Sequence, residues 1–281
     1  MASELDDPVV VPLGDGEVLF DDESGSSRIK VARDELLLSE TSLTFGARGP
    51  KPHIHREHAD GFYVLEGALD FHVAGEQRTV EAGGLVLAPP GLVHGFEVGP
   101  NGVRHLNIHA PGAAFARLSR ARRDGLDIDA AADGDTFSPP ADRGLPTSEA
   151  IVHAADEGVP VGGNLIKAAR PEVSLLVLEL RPGAGVDPHF HKAHSDSFYV
   201  LEGEVEFHVA EEVVSAVPGT YVLAPPHVVH YFRNVSDSPA RALNLHTPGG
   251  FAQYRLELED LRSRGIEPDR EFFERHDIFD V

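Results

Sequence analysis

Apolar and polar residues alternate over short stretches along most of the chain, and Gly and Pro residues separate one stretch from the next. Leu69, Phe71 and Val73 alternate with polar residues, a period of two that is typical of a half-buried strand. Short strands about every 8–12 residues, with turn signals between them, predict an all-β sandwich or barrel. The helical period is confined to three short segments. These segments are 115–124, 251–264 and 269–276.

The strand-and-turn pattern occurs twice along the chain. The segment Pro52–Gly67 (PHIHREHADGFYVLEG) returns as Pro188–Gly203 (PHFHKAHSDSFYVLEG), with 11 of 16 positions identical at an offset of 136 residues. The repeat predicts two domains, 1–140 and 141–281, each long enough to bury a core of its own. Pro, Gly, Asp and Ser cluster over 139–146, which predicts the linker between the domains.

Each copy of the repeat carries two His residues separated by one position, and strand alternation points both to the same side. An Asp follows five residues after the second His, and another His follows 41 residues after the first. Converging imidazoles and a carboxylate are typical ligands of a divalent metal. A duplicated stretch of surface histidines would explain the recurrence, but not the repeated 41-residue interval. The predicted ligands are His53, His55, Asp60 and His94 in the first half, and His189, His191, Asp196 and His230 in the second.

Composition and charge limit the kinds of molecule that the protein is expected to bind. The net charge is −22, and no run of Lys or Arg is present to bind a phosphate backbone or an anionic lipid surface. The chain has no Cys, which excludes disulfides and thiolate metal sites. The acidic start lacks the features of a secretory signal, and no apolar run approaches a membrane-spanning length. We therefore expect a cytoplasmic protein with a small-molecule substrate, without nucleic-acid or membrane partners, and the sequence leaves a homodimer open.

The histidine-containing segments resemble the two sequence motifs of the cupins, and their duplication resembles a bicupin. The first motif is matched by Gly183, His189, His191, Asp196 and Gly203 and, with one extra residue after the glycine, by Gly46, His53, His55, Asp60 and Gly67. The second motif is matched by Gly219, Pro225, His230 and Asn234, and by Gly83, Pro89, Gly91 and His94. The second motif departs from the pattern at His227, in place of Gly, and at Val98, in place of Asn. The resemblance implies two tandem cupin barrels, each a double-stranded β-helix of the jelly-roll type followed by a short C-terminal helix.

Both halves carry Asp where the cupins usually have Glu. Asp60 and Asp196 are one methylene shorter, so each either ligates the metal or lies behind a site of three histidines. His58 and His194, two residues before each Asp, are the alternative fourth ligands. The ligand types suit one divalent transition metal per barrel: Fe, Mn, Ni, Cu or Zn.

The FYVLEG run, the later PGGF at 248–251 and the terminal helix resemble the quercetinase-type bicupins. This resemblance implies a metal-dependent dioxygenase of a flavonol-like or other enolisable small molecule, with Asp60 and Asp196 as the catalytic bases that take the substrate hydroxyl proton. A metal-dependent isomerase, epimerase or lyase of a polar small molecule such as a sugar acid is the alternative. A non-catalytic small-molecule-binding bicupin is the second alternative. An oxygenase pocket would be aromatic beside the metal, whereas a sugar-acid pocket would use Arg104 or Arg241, the only basic pair in matching strand positions.

Two further pairs recur in the two halves. Asn107 and His109 share one strand face, as do Asn244 and His246. Each pair either lies behind the metal ligands in the pocket or forms a hydrogen-bonded pair at a strand end. His105 has no counterpart in the second half, and we assign it no role from the sequence.

Overall fold

The computed structural model describes residues 7–47, 49–125, 135–137 and 149–281 of the 281-residue chain. The linker predicted over 139–146 lies outside these residues. Within the described residues, none of the helices has the length and apolar character that crossing a membrane would require.

Two compact units make up the chain. The N-terminal unit is Gly16–Glu157, and the C-terminal unit is Gly158–Val281 together with the segment that ends at Asp15. The sequence repeat instead predicts a division between residues 140 and 141. The two divisions differ because strand Val9–Val11 pairs in the C-terminal unit, and strand Ile151–His153 pairs in the N-terminal unit.

The described part of the N-terminal unit consists mainly of strands, with one helix near its C-terminal end. In chain order its elements are β2 Glu17–Asp22, β3 Gly25–Ala32, β4 Leu37–Leu43, β5 Ile54–His55, β6 Ala59–Val73, β7 Glu76–Glu81, β8 Leu85–Ala88, β9 His94–Ala110, α1 Ala113–Arg123, β10 Thr136–Phe137 and β11 Ile151–His153. The main sheet has the order β11-β8-β6-β9-β4-β3-β2, with β7 paired to β6. Strands β10 and β5 form a separate antiparallel pair.

The C-terminal unit repeats this arrangement with shorter strands and two further helices. Its elements are β1 Val9–Val11, β12 Val159–Val161, β13 Asn164–Ala169, β14 Ser174–Leu180, β15 His189–Phe190, β16 Ser195–Glu202, β17 Val205–Val209, β18 Glu212–Ala216, β19 Tyr221–Ala224, β20 His230–Arg233, β21 Ala240–Thr247, α2 Phe251–Ser263, α3 Arg270–Arg275 and β22 Phe279–Asp280. One sheet has the order β1-β19-β16-β21-β14-β13-β12, and the other β18-β17-β20-β15-β22. The tandem all-β architecture predicted from the repeat is confirmed.

Two long strands distinguish the N-terminal unit. The sequence predicts a strand that ends in a turn at Glu66 and Gly67, but β6 continues through this point and pairs with β9 over its whole length. The pairing shifts register on both sides of these residues, as in a β-bulge. Gly67 has a φ of 74°, and a Cβ there would meet the backbone oxygen of Gly102 at 2.2 Å. A glycine therefore lets the strand bend without ending.

Aromatic side chains fill the interior of each unit at matching places. The rings of Phe62, Phe71 and Phe96 lie 4.8–5.5 Å apart between centroids in the N-terminal unit. Phe198, Phe207 and Phe232 form the same triangle in the C-terminal unit, with centroids 4.9–5.7 Å apart. These rings belong to the buried cluster of each unit and fix the spacing of the strands that carry the histidines.

Candidate functional site

The four predicted ligands of the first half meet at one point of the N-terminal unit. Residues 53 and 94 form a backbone bridge, with their N–H groups donating to each other's carbonyls at 2.9 and 3.0 Å. His55 ends β5, and Asp60 lies near the start of β6. One side-chain nitrogen or oxygen of each of His53, His55, Asp60 and His94 lies within 4.8 Å of all the others. The Nε2 atoms of His53 and His55 are 3.1 Å apart, and His94 Nε2 is 3.1 Å from Asp60 Oδ2.

The C-terminal unit contains the same cluster, built from His189, His191, Asp196 and His230, with ligand atoms again within 4.8 Å of one another. Pairing of β15 with β20 sets His189 directly opposite His230. Asp196 Oδ2 is 3.2 Å from Nε2 of His230 and 3.9 Å from Nε2 of His191. The structure therefore brings together all eight residues predicted from the sequence, four in each unit.

The hydrogen bonds of the imidazoles show that the C-terminal cluster fits a cation. Nδ1 of His189, His191 and His230 donates to the backbone oxygens of residues 187, 277 and 228 at 2.8, 2.7 and 2.9 Å. A carbonyl oxygen can only accept, so in each neutral ring Nε2 carries a lone pair. Buried Nε2 of His191 has no hydrogen-bond partner. Three lone pairs and a carboxylate thus face one point without a proton between them, an arrangement that a divalent metal satisfies.

The N-terminal cluster has nearly the same orientation. Nδ1 of His53 and of His94 donates to backbone oxygens at 2.8 and 2.9 Å, so that Nε2 of both rings is an acceptor. Nδ1 of His55 instead lies 3.2 Å from the hydroxyl of Thr136, which can donate or accept. The donor set is again three imidazoles and one carboxylate.

Burial shifts the pKa of one imidazole in each cluster. It lowers the pKa of His55 and of His189 to about 4, so both rings are neutral at neutral pH. Burial alone would raise the pKa of Asp60, but the surrounding imidazoles, His109 foremost, hold that pKa well below its ordinary value. The same balance keeps the pKa of Asp196 well below its ordinary value. Neutral imidazoles beside an ionised carboxylate are the protonation states that metal binding requires.

An Asn–His pair orients each carboxylate. Asn107 Nδ2 donates to Asp60 Oδ1 at 2.6 Å, and Asn107 Oδ1 accepts from His109 Nε2 at 2.8 Å. Phe115, in the first turn of α1, stacks on His109 with ring centroids 3.5 Å apart. Both sequence alternatives therefore hold: Asn107 and His109 form a hydrogen-bonded pair near the end of β9, and the pair lies behind the metal ligands and leaves Asp60 Oδ2 directed to the cluster.

The C-terminal unit repeats this support. Asn244 Nδ2 donates to Asp196 Oδ1 at 2.5 Å, and Asn244 Oδ1 accepts from His246 Nε2 at 3.1 Å. Phe251, the first residue of α2, stacks on His246 with centroids 3.6 Å apart. In each unit, a phenylalanine in the first turn of a helix thus holds the ring behind the carboxylate.

A second acidic residue, which sequence reasoning missed, fastens the loop that follows each H-x-H pair. In the N-terminal unit, Asp135 Oδ1 accepts the backbone N–H groups of Arg56 and Glu57 at 2.9 and 2.6 Å. Its Oδ2 lies 2.5 Å from Nδ1 of His58. Burial opposes ionisation of Asp135, but the contact with His58 outweighs it and lowers the pKa of the carboxyl to about 2.

Asp277 has this role in the C-terminal unit. Its carboxylate accepts the backbone N–H groups of Lys192 and Ala193 at 3.0 and 2.8 Å, and its Oδ2 lies 2.9 Å from Nδ1 of His194. Strand β22, which follows at once, pairs with the H-x-H strand β15. A signal for both residues exists in the sequence, because each begins a D-x-F tripeptide, DTF at 135–137 and DIF at 277–279.

His58 and His194, the alternative fourth ligands, face these downstream carboxylates. His58 Nε2 lies 2.9 Å from His109 Nδ1, so both of its nitrogens have neighbours outside the four-residue cluster. The corresponding atoms of the C-terminal unit, His194 Nε2 and His246 Nδ1, are buried and have no hydrogen-bond partner. Hydrogen bonds therefore connect the side chains behind the cluster without a break in the N-terminal unit. In the C-terminal unit, the hydrogen bond between His194 Nε2 and His246 Nδ1 is missing.

A cavity of about 920 Å³ opens from the N-terminal cluster into the barrel interior. Its lining includes the rings of Phe62, Phe96 and Phe115 beside His53, His55 and Asp60. The two cationic residues in the lining, Lys51 and Arg123, lie at exposed positions. Arg123 also pairs with Asp124 at 2.7 Å.

The basic pair that a sugar-acid pocket would need is engaged elsewhere. Arg104 donates to Glu40 at 2.9 Å and to Glu66 at 2.5 Å. Arg241 donates to Glu179 and to Glu202 at 2.9 and 2.7 Å. Arg104 precedes His105 in β9, and alternation directs the two side chains to opposite faces of the sheet.

Comparisons with known proteins agree with this architecture. A family model described as "Cupin domain" matches residues 40–105 and 176–246. Quercetin 2,3-dioxygenase from Bacillus subtilis (strain 168) is 21% identical to the chain, over 90% of this chain and 86% of that protein.

Solved structures show the same fold at low sequence identity. Protein Ylba from E. coli superposes with a TM-score of 0.64 at 11% identity, covering 87% of this chain and 92% of that one. Oxalate decarboxylase from Lactobacillus farciminis, in its formate complex, superposes with a TM-score of 0.57 at 13% identity, covering 95% of this chain and 96% of that one. The cupin motifs read from the sequence are therefore confirmed. The chain belongs to the cupin superfamily, and its two cupin domains, each with a cluster of three histidines and one aspartate that could hold a metal, make it a bicupin.

Proposed function

We propose that the protein is a metal-dependent dioxygenase of a flavonol-like or other enolisable aromatic small molecule, and that the reaction takes place in the N-terminal barrel. The observation that carries this proposal is the opening of the first His3Asp cluster into a cavity with aromatic walls. Within the described residues of that lining, the cations are confined to exposed positions. An aromatic anion formed on deprotonation would therefore depend on the cluster for its counter-charge.

The residues of the cluster have separate tasks in this proposal. His53, His55, Asp60 and His94 would hold one divalent ion, and His189, His191, Asp196 and His230 another. Such an ion, Fe, Mn, Ni, Cu or Zn, supplies a Lewis acid for the substrate oxygen and, in its redox-active forms, a partner for dioxygen.

Asp60 would also take the hydroxyl proton of the substrate, as Asp196 would if the second barrel binds substrate. Asn107 holds Asp60 Oδ1, so Oδ2 is the atom left to face both the ion and the incoming hydroxyl. The phenylalanine rings exclude water and align a planar ligand, which raises the fraction of productive encounters. The distant relationship to quercetin 2,3-dioxygenase supports this reaction class without fixing the substrate.

The isomerase, epimerase or lyase alternative for a polar acid has weaker support. It requires a cation to hold a carboxylate beside the metal, and Arg104 and Arg241 are already neutralised by two carboxylates each. A non-catalytic binding barrel would need neither the Asn–His support of Asp60 nor a second complete cluster.

The test measures oxygen uptake by separately reconstituted Fe(II), Mn(II), Ni(II), Cu(II) and Zn(II) proteins, with flavonols and cyclic diketones as substrates. We expect uptake with a redox-active metal, its loss in His55→Ala, and its retention in His191→Ala. A parallel NMR screen follows sugar acids for isomerisation or cleavage. Conversion of a sugar acid without oxygen uptake in any metal form would refute the dioxygenase and favour the alternative.

A further inference from the structure

One row of polar side chains crosses the interior of the N-terminal barrel. Ser27 pairs with Thr41 across β3 and β4, and Thr41 pairs with His105 across β4 and β9. Residues paired in neighbouring strands point to the same face of a sheet. The Ser27 and Thr41 hydroxyls are 2.7 Å apart, and all three side chains line the cavity that contains the metal cluster. We call Ser27, Thr41 and His105 the polar row.

The C-terminal barrel has apolar residues at the register positions that match Thr41 and His105. Strand β21 places Ala242 opposite Leu178, where β9 places His105 opposite Thr41. Leu178 belongs to the hydrophobic core of that unit, and Ala242 is fully buried. The pairing of Thr41 with His105 is therefore a property of one barrel, while the metal cluster is shared by both. A feature kept for folding alone would be expected in both copies.

His105 is the member of the row that most needs a partner. The side chain is 2% exposed, and Nδ1 has no hydrogen-bond partner. Its ring packs beside those of Phe62 and Phe96, with centroids 5.7 and 5.8 Å away. Burial lowers the pKa of His105 to about 4, so the ring is neutral and offers one donor and one acceptor. A buried imidazole of this kind costs stability unless a ligand completes its hydrogen bonds.

The row lies at a definite distance from the metal cluster. Asp60 pairs with His109, and four residues further along the same two strands Val64 pairs with His105. At about 3.3 Å per residue, the row is about 13 Å along the strands from the level of Asp60. A ligand that contacts both ends must be an elongated molecule, and the phenylalanine rings between the ends favour a planar aromatic one.

We propose that the polar row binds a phenolic hydroxyl at the end of the substrate remote from the metal, and that it restricts substrate binding to the N-terminal barrel. A hydroxyl both donates and accepts, which matches a neutral imidazole beside two hydroxyls. A carboxylate or phosphate would lack a cation in the row. This inference rests on the proposed function only in taking an enolisable aromatic molecule as the ligand.

Two flavonols that differ by one group test the proposal. The Zn(II)-loaded protein is titrated without oxygen with 3-hydroxyflavone and with 3,4′-dihydroxyflavone, following the absorption of the ligand. We expect the dihydroxy compound to bind about tenfold more tightly, the scale of one good hydrogen bond in a buried site. In His105→Ala this ratio falls to near one, while the affinity for 3-hydroxyflavone is retained.

Further variants separate recognition from folding. Thr41→Val keeps the shape of the side chain and removes its hydroxyl, so we expect a smaller loss of preference even if His105→Ala is unstable. His105→Gln, which has a donor and an acceptor, retains part of the preference. His72, whose side chain is 43% exposed, supplies the matched control, and His72→Ala leaves the ratio unchanged.

The outcomes distinguish the two proposals. Equal affinity of the wild type for the two flavonols, binding of neither, or an unchanged ratio in both His105→Ala and Thr41→Val overturns the polar row as a recognition site. Oxygen uptake is measured separately with the redox-active metal forms. Uptake without any preference leaves the dioxygenase standing and rejects the row, whereas a preference without uptake rejects the dioxygenase and keeps the row.

Discussion

Replacing Asp277 by Asn should weaken metal binding in the C-terminal barrel although Asp277 lies outside the metal cluster. The carboxylate contacts three donors: the backbone N–H groups of Lys192 and Ala193, and Nδ1 of His194. These donors lie in the loop between His191 and Asp196, two of the four candidate ligands. The φ of Asp277 is 62°, a left-handed conformation that Asn adopts readily, so Asp277→Asn changes charge without straining the backbone.

The size of the effect follows from the hydrogen bonds lost. Asn keeps one carbonyl acceptor, so about two of the three contacts are lost or weakened. At about 1–1.5 kcal/mol each, the loop loses about 2–3 kcal/mol of stabilisation. Changes to groups that support metal ligands typically weaken metal binding by about 10–100-fold, which corresponds to about 1.4–2.8 kcal/mol. The two estimates agree in scale, and we expect a loss within that range.

The assay isolates one cluster at a time. In a His55→Ala background only the C-terminal cluster keeps its full ligand set, and its affinity for Co(II) is read from the visible absorption bands of the bound ion. Asp277→Asn is compared there with Asp280→Asn, which changes an exposed carboxylate in the same strand segment. Circular dichroism of both variants checks that the β structure is intact.

Unchanged Co(II) affinity in Asp277→Asn would refute the positioning role of the carboxylate. Equal weakening by Asp280→Asn would show that the loss of charge alone, rather than the hydrogen bonds to the loop, sets the affinity. In a His191→Ala background the N-terminal cluster should bind Co(II) equally well with and without Asp277→Asn.

Three further predictions concern the clusters directly. His191→Ala should lower the metal content of the reconstituted chain from two equivalents to one by elemental analysis, and an unchanged content would remove His191 from the ligand set. Asp60→Asn should keep most of the metal but slow oxygen uptake by about 10²–10⁴-fold, because an amide cannot take the substrate proton, and an unaltered rate would assign that proton elsewhere. The metal-free protein should lose stability as the pH falls from about 6.5 towards 4. Burial lowers the pKa values of His55, His105 and His189 to about 4, so over this range the unfolded chain binds protons that the folded chain excludes. Calorimetry of the chelator-treated protein checks this, and a melting temperature that rises on acidification would contradict it.

The fold and the metal clusters can be predicted from the sequence because both follow from patterns among residues that are close together in the chain. Alternation within strands places the two histidines of an H-x-H pair on one side, and glycine and proline mark where strands end. The duplication then supplied an internal check, since a spacing that recurs in two copies is constrained in both. The predicted helices agree with α1, α2 and α3 to within about two residues, as expected for helix ends.

The other features of the site could not be predicted in this way, because they depend on contacts between residues that are far apart in the sequence. Asp135 and Asp277 reach the H-x-H loops from beyond the closing helices, and they are 142 residues apart rather than the 136 of the repeat, so a search at the repeat offset does not pair them. His105 is assigned no role from the sequence for the opposite reason, since a search for recurring residues gives weight only to residues present in both copies. Comparison of the halves at matched strand positions, Thr41 with Leu178 and His105 with Ala242, would have revealed it.

The pairing of β1 with β19 has a consequence for the synthesis of the chain. Val9 pairs with Leu223, so β1 has no partner in its sheet until more than 200 further residues have been synthesised. At about 5–20 residues per second, the interval is on the order of ten seconds or more, long enough for the N-terminal unit to fold in the meantime. The earliest strand in the sequence is thus among the last to enter its sheet.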